Sequence, residues 1–230
     1  MKIAMFTDIH GNYQALKAII SDIKKKKYDD VIFLGDAIGL GVDSNKCLNY
    51  LYKYNIRFLL GNHELYYTRG CNIIKTKKPE INEHNIWVSK NIKTKLKEDN
   101  NFKYVIKHNG KKILFVHFFM KRGRYPYENT EIFDTEEYKK YMNNTKYDYM
   151  FYGHLHQDRV DIINNKIFCS LGSSGCTKDD NTFYYVLNLD EDITYEKVMV
   201  KYNREKFVNR IKSVDFPNKK EILKDFYGIN

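Results

Sequence analysis

Five short segments of this chain gather residue types that bind divalent cations: Asp8-Ile9-His10, Gly35-Asp36, Gly61-Asn62-His63-Glu64, His117, and Gly153-His154-Leu155-His156. Imidazole supplies a neutral nitrogen, aspartate a carboxylate and asparagine a carbonyl oxygen. Such a mixed donor set suits Mn, Fe, Zn, Co or Ni. Alternate residues of an extended chain face the same way, so Asp8-x-His10 and His154-x-His156 are each expected to grip one site. Glycines beside Asp36, Asn62 and His154 let the backbone approach closely. Taken singly, each segment has an ordinary reading: a chance Asp-x-His, a turn at Gly35-Asp36, a helix cap at Asn62, a core histidine at His117. The set and its order carry the inference. The two histidines outside these segments, His84 and His108, read as surface residues.

The elements that must position these groups alternate. Lys2–Thr7, Val31–Leu34 and Ile56–Leu60 are apolar runs suited to buried strands. Between them, Asn12–Lys26 and Ser44–Tyr54 carry helical spacing, with Ala15, Leu16, Ile19, Ile20 and Ile23 on one face. Strands joined by helices imply right-handed crossovers and a parallel sheet. The separations of Asp8, Asp36 and Asn62 each approach the roughly 30 residues of a βαβ unit. A helix is expected around Glu83–Leu96, where Val88, Ile92 and Leu96 recur. Phe102–Lys107, an Asn109-Gly110 turn and Lys112–His117 read as a hairpin. Strands follow at Tyr149–Phe151, Val160–Ile163, Lys166–Ser170, Thr182–Leu189 and Thr194–Val200. A final helix carries Phe207, Ile211 and Val214. All five segments fall where an expected strand runs out, so they should converge on one rim of the sheets.

Composition sets the boundaries. At 230 residues with 43% hydrophobic and 30% charged side chains, the chain can bury one large core, and disorder is excluded on composition. One domain spanning 1–230 is expected, with a helical insertion at about 64–100. The net charge of +10 favours anionic ligands. Lys24–Lys27 and Lys111–Lys112 read as solvated faces, so nucleic-acid binding is not indicated, and self-association is left open. Ile3–Phe6 is too short for a signal segment and no run approaches a membrane span, so a cytoplasmic setting is expected. Cys47, Cys71, Cys169 and Cys176 form no CxxC pair and read as reduced, inert thiols.

In this order the segments resemble the calcineurin-like metallophosphoesterases, especially their small bacterial and archaeal phosphodiesterase branch. That pattern runs Asp-x-His, Gly-Asp, Gly-Asn-His-Asp/Glu, a later His, then Gly-His-x-His. Asp8–Leu16 (DIHGNYQAL) and Gly35–Asn45 (GDAIGLGVDSN) look like its first two segments, and Leu171-Gly172-Ser173 resembles its late Pro-Gly-Ser turn without the proline. The resemblance covers nearly the whole chain. It implies an α/β fold, a four-layer αββα sandwich of two mixed β-sheets flanked by helices.

The resemblance also implies a pair of divalent ions. One would be held by Asp8, His10, Asp36 and His156. The other would be held by Asp36, Asn62, His117 and His154, with Asp36 shared. His63 would be the non-ligand histidine that protonates the leaving group. The implied reaction is hydrolysis of a small phosphorylated substrate, a phosphodiester before a monoester, by hydroxide bridging the two metals. Phe118-Phe119 stands where the family usually follows its later His with Gly, which reshapes the substrate side. The loop Lys121-Arg122-Gly123-Arg124-Tyr125 offers Arg122 and Arg124 as anion-binding forks. Two rival readings accompany this one. Protein phosphatases and dinucleoside polyphosphatases of the superfamily carry Asp-Arg-Gly where this chain has Ile38-Gly39-Leu40, and an arginine where it has Leu60. A non-catalytic interaction module on the same fold would typically have lost some of these side chains.

Overall fold

The computed structural model describes residues 1–70, 79–97, 101–119 and 136–229. Strand β1 (Lys2–Phe6) leads into helix α1 (Tyr13–Lys26), strand β2 (Asp30–Phe33), helix α2 (Ser44–Lys53) and strand β3 (Arg57–Phe58). The Asn12 side chain starts α1 by accepting the Ala15 amide at 3.1 Å, satisfying one of the donors a helix N-terminus leaves free. Its apolar stripe is buried as the spacing requires. Strands β1, β2 and β3 pair in parallel.

Helices α3 (Asn62–Arg69) and α4 (Pro79–Asn91) follow, then strands β4 (Lys103–His108) and β5 (Lys111–Val116). The turn between β4 and β5 holds Asn109 at φ 44° and Gly110 at φ 74°, the left-handed pair that a two-residue hairpin needs. Helix α5 (Glu136–Asn144) and strands β6 (Tyr149–Tyr152), β7 (Asp158–Ile163) and β8 (Lys166–Leu171) come next. Strands β9 (Asn181–Leu189) and β10 (Ile193–Lys201) and helices α6 (Arg204–Lys212) and α7 (Lys219–Tyr227) close the chain.

Two five-stranded mixed sheets result, in the orders β10-β9-β1-β2-β3 and β4-β5-β6-β8-β7. They face each other across a core that includes Ile3, Met5, Phe115, Phe151 and Leu187. Helices α1 and α2 cover the outer face of the first sheet, and Met142 of α5 packs on the second with Leu114, Met150 and Phe168. This is the expected αββα sandwich.

Three local expectations need correction. Helix α4 ends at Asn91, not near Leu96, because Asn45 of α2 takes over the backbone there. Its amide donates to the Asn91 carbonyl at 2.8 Å, and its Oδ1 accepts Lys93 and Thr94 amides at 2.7 and 3.0 Å. Ile92 and Leu96 still pack on the core, but beyond the helix. His84 is fully buried, stacked on Trp87 with its edge contact to Phe216, since α4 lies against the C-terminal helices. Burial pulls its pKa down to about 4. The third correction concerns the paired ligands and is taken up with the site.

Candidate metal centre

Each of the five segments begins within a few residues of a strand's carboxyl end: Asp8 after β1, Asp36 after β2, Asn62 after β3, His117 after β5 and His154 after β6. The chain cannot continue straight at these points. Asp8, His10, Asp36, His154 and His156 all have positive φ, between 46° and 73°. The expected extended alternation is therefore wrong, and with it the idea that each pair serves one point. Asp8 and His10 do meet, at 3.5 Å. His154 and His156 diverge, His154 toward Asn62 and His156 toward His10.

The groups fall into two overlapping clusters. In the first, His10 Nε2 lies 2.9 Å from His156 Nε2, and Asp8 Oδ1 lies 3.2 Å from His156 Nε2. In the second, Asn62 Oδ1 lies 2.7 Å from His154 Nδ1 and 3.1 Å from His117 Nε2. Asp36 Oδ2 sits between them, 3.1 Å from His117 Nε2 and 3.6 Å from His10 Nε2. His10, Asp36 and His63 form one group whose donor atoms lie within 4.8 Å of one another; Asp36, His117 and His154 form another.

Whether these residues fit cations can be tested on their hydrogen bonds. His117 Nδ1 faces the Leu34 carbonyl at 2.8 Å and His10 Nδ1 the Ile38 carbonyl at 3.1 Å. A carbonyl only accepts, so both Nδ1 atoms donate, and in the neutral ring Nε2 presents a lone pair. Those lone pairs point at Asn62 Oδ1, Asp36 Oδ2 and each other's neighbours, all acceptors. Asp8 shows the same. Its Oδ2 accepts from Thr7 Oγ1 at 2.6 Å and the His154 amide at 3.0 Å, whereas its buried Oδ1 makes no hydrogen bond. Acceptors converging this closely need either an added proton or a cation between them. The residues fit.

The electrostatics agree. Burial alone would raise Asp8 and Asp36, but His117 and the neighbouring imidazoles hold both carboxyls far below their usual range. Burial opposes the charge on His117, yet Asp36 and Asp8 push it up to about 9. That proton marks a point of strong negative potential, which a divalent ion would occupy in its place. Burial, only partly countered by Asp36, takes His63 down to about 3, and burial with His117 takes His154 to about 4.

Two contributors escaped the sequence reading of the metal ligands. Thr7 orients Asp8. Glu64, fully buried, accepts the amides of Gly61, Asp36 and Ala37 at 2.8, 2.9 and 2.9 Å and that of Ile38 at 3.3 Å. It therefore ties the turn before α3 to the turn that presents Asp36. The spacing signal was present, since an acidic residue three positions after Gly61 is the pattern of a helix-start capping box. Gly61 itself admits no side chain: a β-carbon there would overlap the Asp36 carboxylate. Burial and Asp36 push Glu64 up to about 7. Glu64→Ala would strand four buried amides, each costing about 1–3 kcal/mol when unsatisfied. A loss of at least ~3 kcal/mol is expected, read as a melting point lowered by roughly 6–12 °C in metal-free protein. An unchanged melting point would remove Glu64 from this role.

The structure brings all seven sequence-identified ligand candidates together, with His63 beside them: its ring centroid is 4.8 Å from that of His10. Arg122 and Arg124 lie outside the described residues.

A fold of two facing sheets with side chains able to hold cations at their strand ends has a counterpart among known proteins. The calcineurin-like phosphoesterase family matches residues 1–158, and this chain belongs to that family of metal-dependent phosphoric ester hydrolases. An uncharacterized protein of Methanocaldococcus jannaschii is 28% identical over 91% of this chain and 91% of its own. The crystal structure of a metallophosphoesterase from Sphaerobacter thermophilus superposes with a TM-score of 0.67 at 18% identity, covering 98% of each chain. A symmetrical bis(5'-nucleosyl)-tetraphosphatase of Wigglesworthia glossinidia brevipalpis is 44% identical over a shorter stretch, 25% of this chain and 22% of that protein. Among the described residues no helix is long and apolar enough to cross a membrane.

Proposed function

We propose that this protein hydrolyses a small phosphodiester, of a nucleotide or a similar ester, with two divalent cations held at the strand-end rim. The observation that carries the reading is the convergence of atoms able to ligate a cation, Asp8 Oδ1, His10 Nε2 and His156 Nε2 on one side and Asn62 Oδ1, His117 Nε2 and His154 Nδ1 on the other. Asp36 lies between the two sets. Bound there, a pair of cations supplies an acidified water and neutralises charge on the transferring phosphoryl group.

The chain's own residues do the rest. Asp8 and Asp36 provide the anionic share of the ligand set, and neutral imidazoles and Asn62 leave the site a positive surplus for one phosphate. His154 and His156 are partly exposed, so substrate reaches the centre from their side. His63 borders the same space and is positioned to hand a proton to the departing oxygen. Its backbone amide is fixed on Asp36 Oδ1 at 2.9 Å.

A single-charge diester matches this surplus better than a dianionic monoester. Where protein phosphatases and dinucleoside polyphosphatases of the family place arginines, this chain has Ile38-Gly39-Leu40 and Leu60. Gly39 is moreover packed against the His63 ring, where a β-carbon would overlap it. The short match to a nucleosyl tetraphosphatase supports a nucleotide-bearing ester without requiring a polyphosphate.

The test compares bis-p-nitrophenyl phosphate, p-nitrophenyl phosphate and a panel of dinucleotides, assayed with Mn²⁺, Zn²⁺ or Co²⁺ and after chelation. Diester cleavage should exceed monoester cleavage and vanish with chelator, returning when cation is restored. Activity that survives complete chelation, or its absence with every cation, would defeat the proposal.

A further inference from the structure

One donor at this rim is not in the ligand pattern described above. The turn between β8 and β9 carries Cys176, whose Sγ lies with the ring nitrogens of His10 and His156 in a group spanning no more than 4.8 Å. The placement is built. Ser174 and Gly175 amides donate to the carbonyls of Thr7 and Asp8 at 3.0 and 2.9 Å. Ser173 Oγ donates to the Asp8 carbonyl at 2.8 Å and accepts the Cys176 amide at 2.9 Å. Asn12 Nδ2 holds the Gly175 carbonyl at 2.8 Å. Gly175 packs so closely that a β-carbon would overlap the Ile9 carbonyl. On the other side, the Thr177 carbonyl is held by Arg204 at 3.0 Å and its hydroxyl pairs with Tyr202 at 2.9 Å. The thiol is thus clamped onto the segment that presents Asp8 and His10.

A second observation points to an occupant at the same place. Asp8 Oδ1, fully buried, makes no hydrogen bond although His156 Nε2 is 3.2 Å away. The two facing Nε2 atoms of His10 and His156 are 2.9 Å apart. The two imidazoles are thus each close both to the Asp8 carboxylate and to the Cys176 thiol.

We propose that Cys176 is a ligand of the cation bound by Asp8, His10 and His156, so that this position takes a thiophilic divalent ion. This rests on the two-metal reading above and deepens it. The Sγ–metal bond forms as the thiol S–H proton leaves to solvent. A sulfur donor favours zinc and other soft-leaning ions, while the position formed by Asp36, Asn62, His117 and His154 keeps only oxygen and nitrogen donors. The two positions are then chemically unequal, and the first discriminates against manganese.

X-ray absorption at the zinc edge of the loaded native protein decides the matter. A sulfur shell at ~2.3 Å is expected beside nitrogen and oxygen at ~2.0–2.1 Å. Peptide mapping assigns it: iodoacetamide should label Cys176 in chelated protein and fail to label it after zinc is added, with no variant required. Cobalt titration should give a sulfur-to-cobalt charge-transfer band that Cys176→Ser removes and Cys71→Ser retains. Cys176→Ser should weaken zinc at one position at least about tenfold and leave manganese binding unchanged. Two bound ions with no sulfur shell, or equal labelling with and without zinc, would overturn the role of Cys176 and leave the two-metal reading intact. A protein that binds no ion would overturn both.

Discussion

Asp36→Asn should reduce bound cations from two per chain to one or none and lower turnover by at least roughly 10³-fold, about 4 kcal/mol of barrier. Asp36 Oδ1 is occupied by the His63 amide at 2.9 Å, while Oδ2 is the atom between His117 and His10. Asparagine preserves size and the bond to the His63 amide. It removes the negative charge that both clusters share, in a place where water cannot substitute because the residue is buried. Metal content measured by mass spectrometry beside turnover checks this, with circular dichroism to confirm folding. Two retained cations with full activity would show that Asp36 is not shared.

His63→Ala should separate the two properties. The ring nitrogen stands near His10 and Asp36 but is not among the ligands that the family resemblance implies, so cation content should stay at two per chain. Turnover should fall by roughly 10²–10⁴, the usual worth of a positioned proton donor, with KM little changed. Burial keeps His63 neutral near pH 7 in the ion-free site. A phosphate anion beside it would draw its pKa upward and charge it only when substrate is present. The leaving group provides the sharper check. If His63 protonates the departing oxygen, the loss should be large for an alkyl ester and small for p-nitrophenol, which departs without help. An equal loss with both leaving groups would assign the ring a merely orienting part.

Much of this arrangement was legible from local pattern. The apolar runs of β1, β2 and β3 and the stripe on α1 encode a parallel sheet by themselves, and Asn109-Gly110 encodes its hairpin. Sheet membership was harder. Strands β9 and β10 return to pair beside β1, a choice made by packing between distant segments and written in no single window. The end of α4 depended on one asparagine of α2, and the burial of His84 on helices that come more than a hundred residues later.

At the site, the residue types and their order were readable, and the structure gathers all of them. Their directions were not, because the left-handed turns at Asp8, His10, His154 and His156 cancel strand alternation. The proposed role of Cys176 has no local sequence signal for a related reason. A cysteine after a Gly-Ser turn looks inert until the turn is seen docked on the carbonyls of Thr7 and Asp8.

Those left-handed turns carry a thermodynamic consequence. A non-glycine residue held at positive φ costs on the order of 1–2 kcal/mol, and five of the proposed ligands are held so. The folded chain carries this tension whether or not ions are present, and ions that bind only the folded form repay it by mass action. Ions bound at the proposed centre would thereby tie the folded fraction of the molecule to cation supply, and scarcity would thin that fraction as well as silence it.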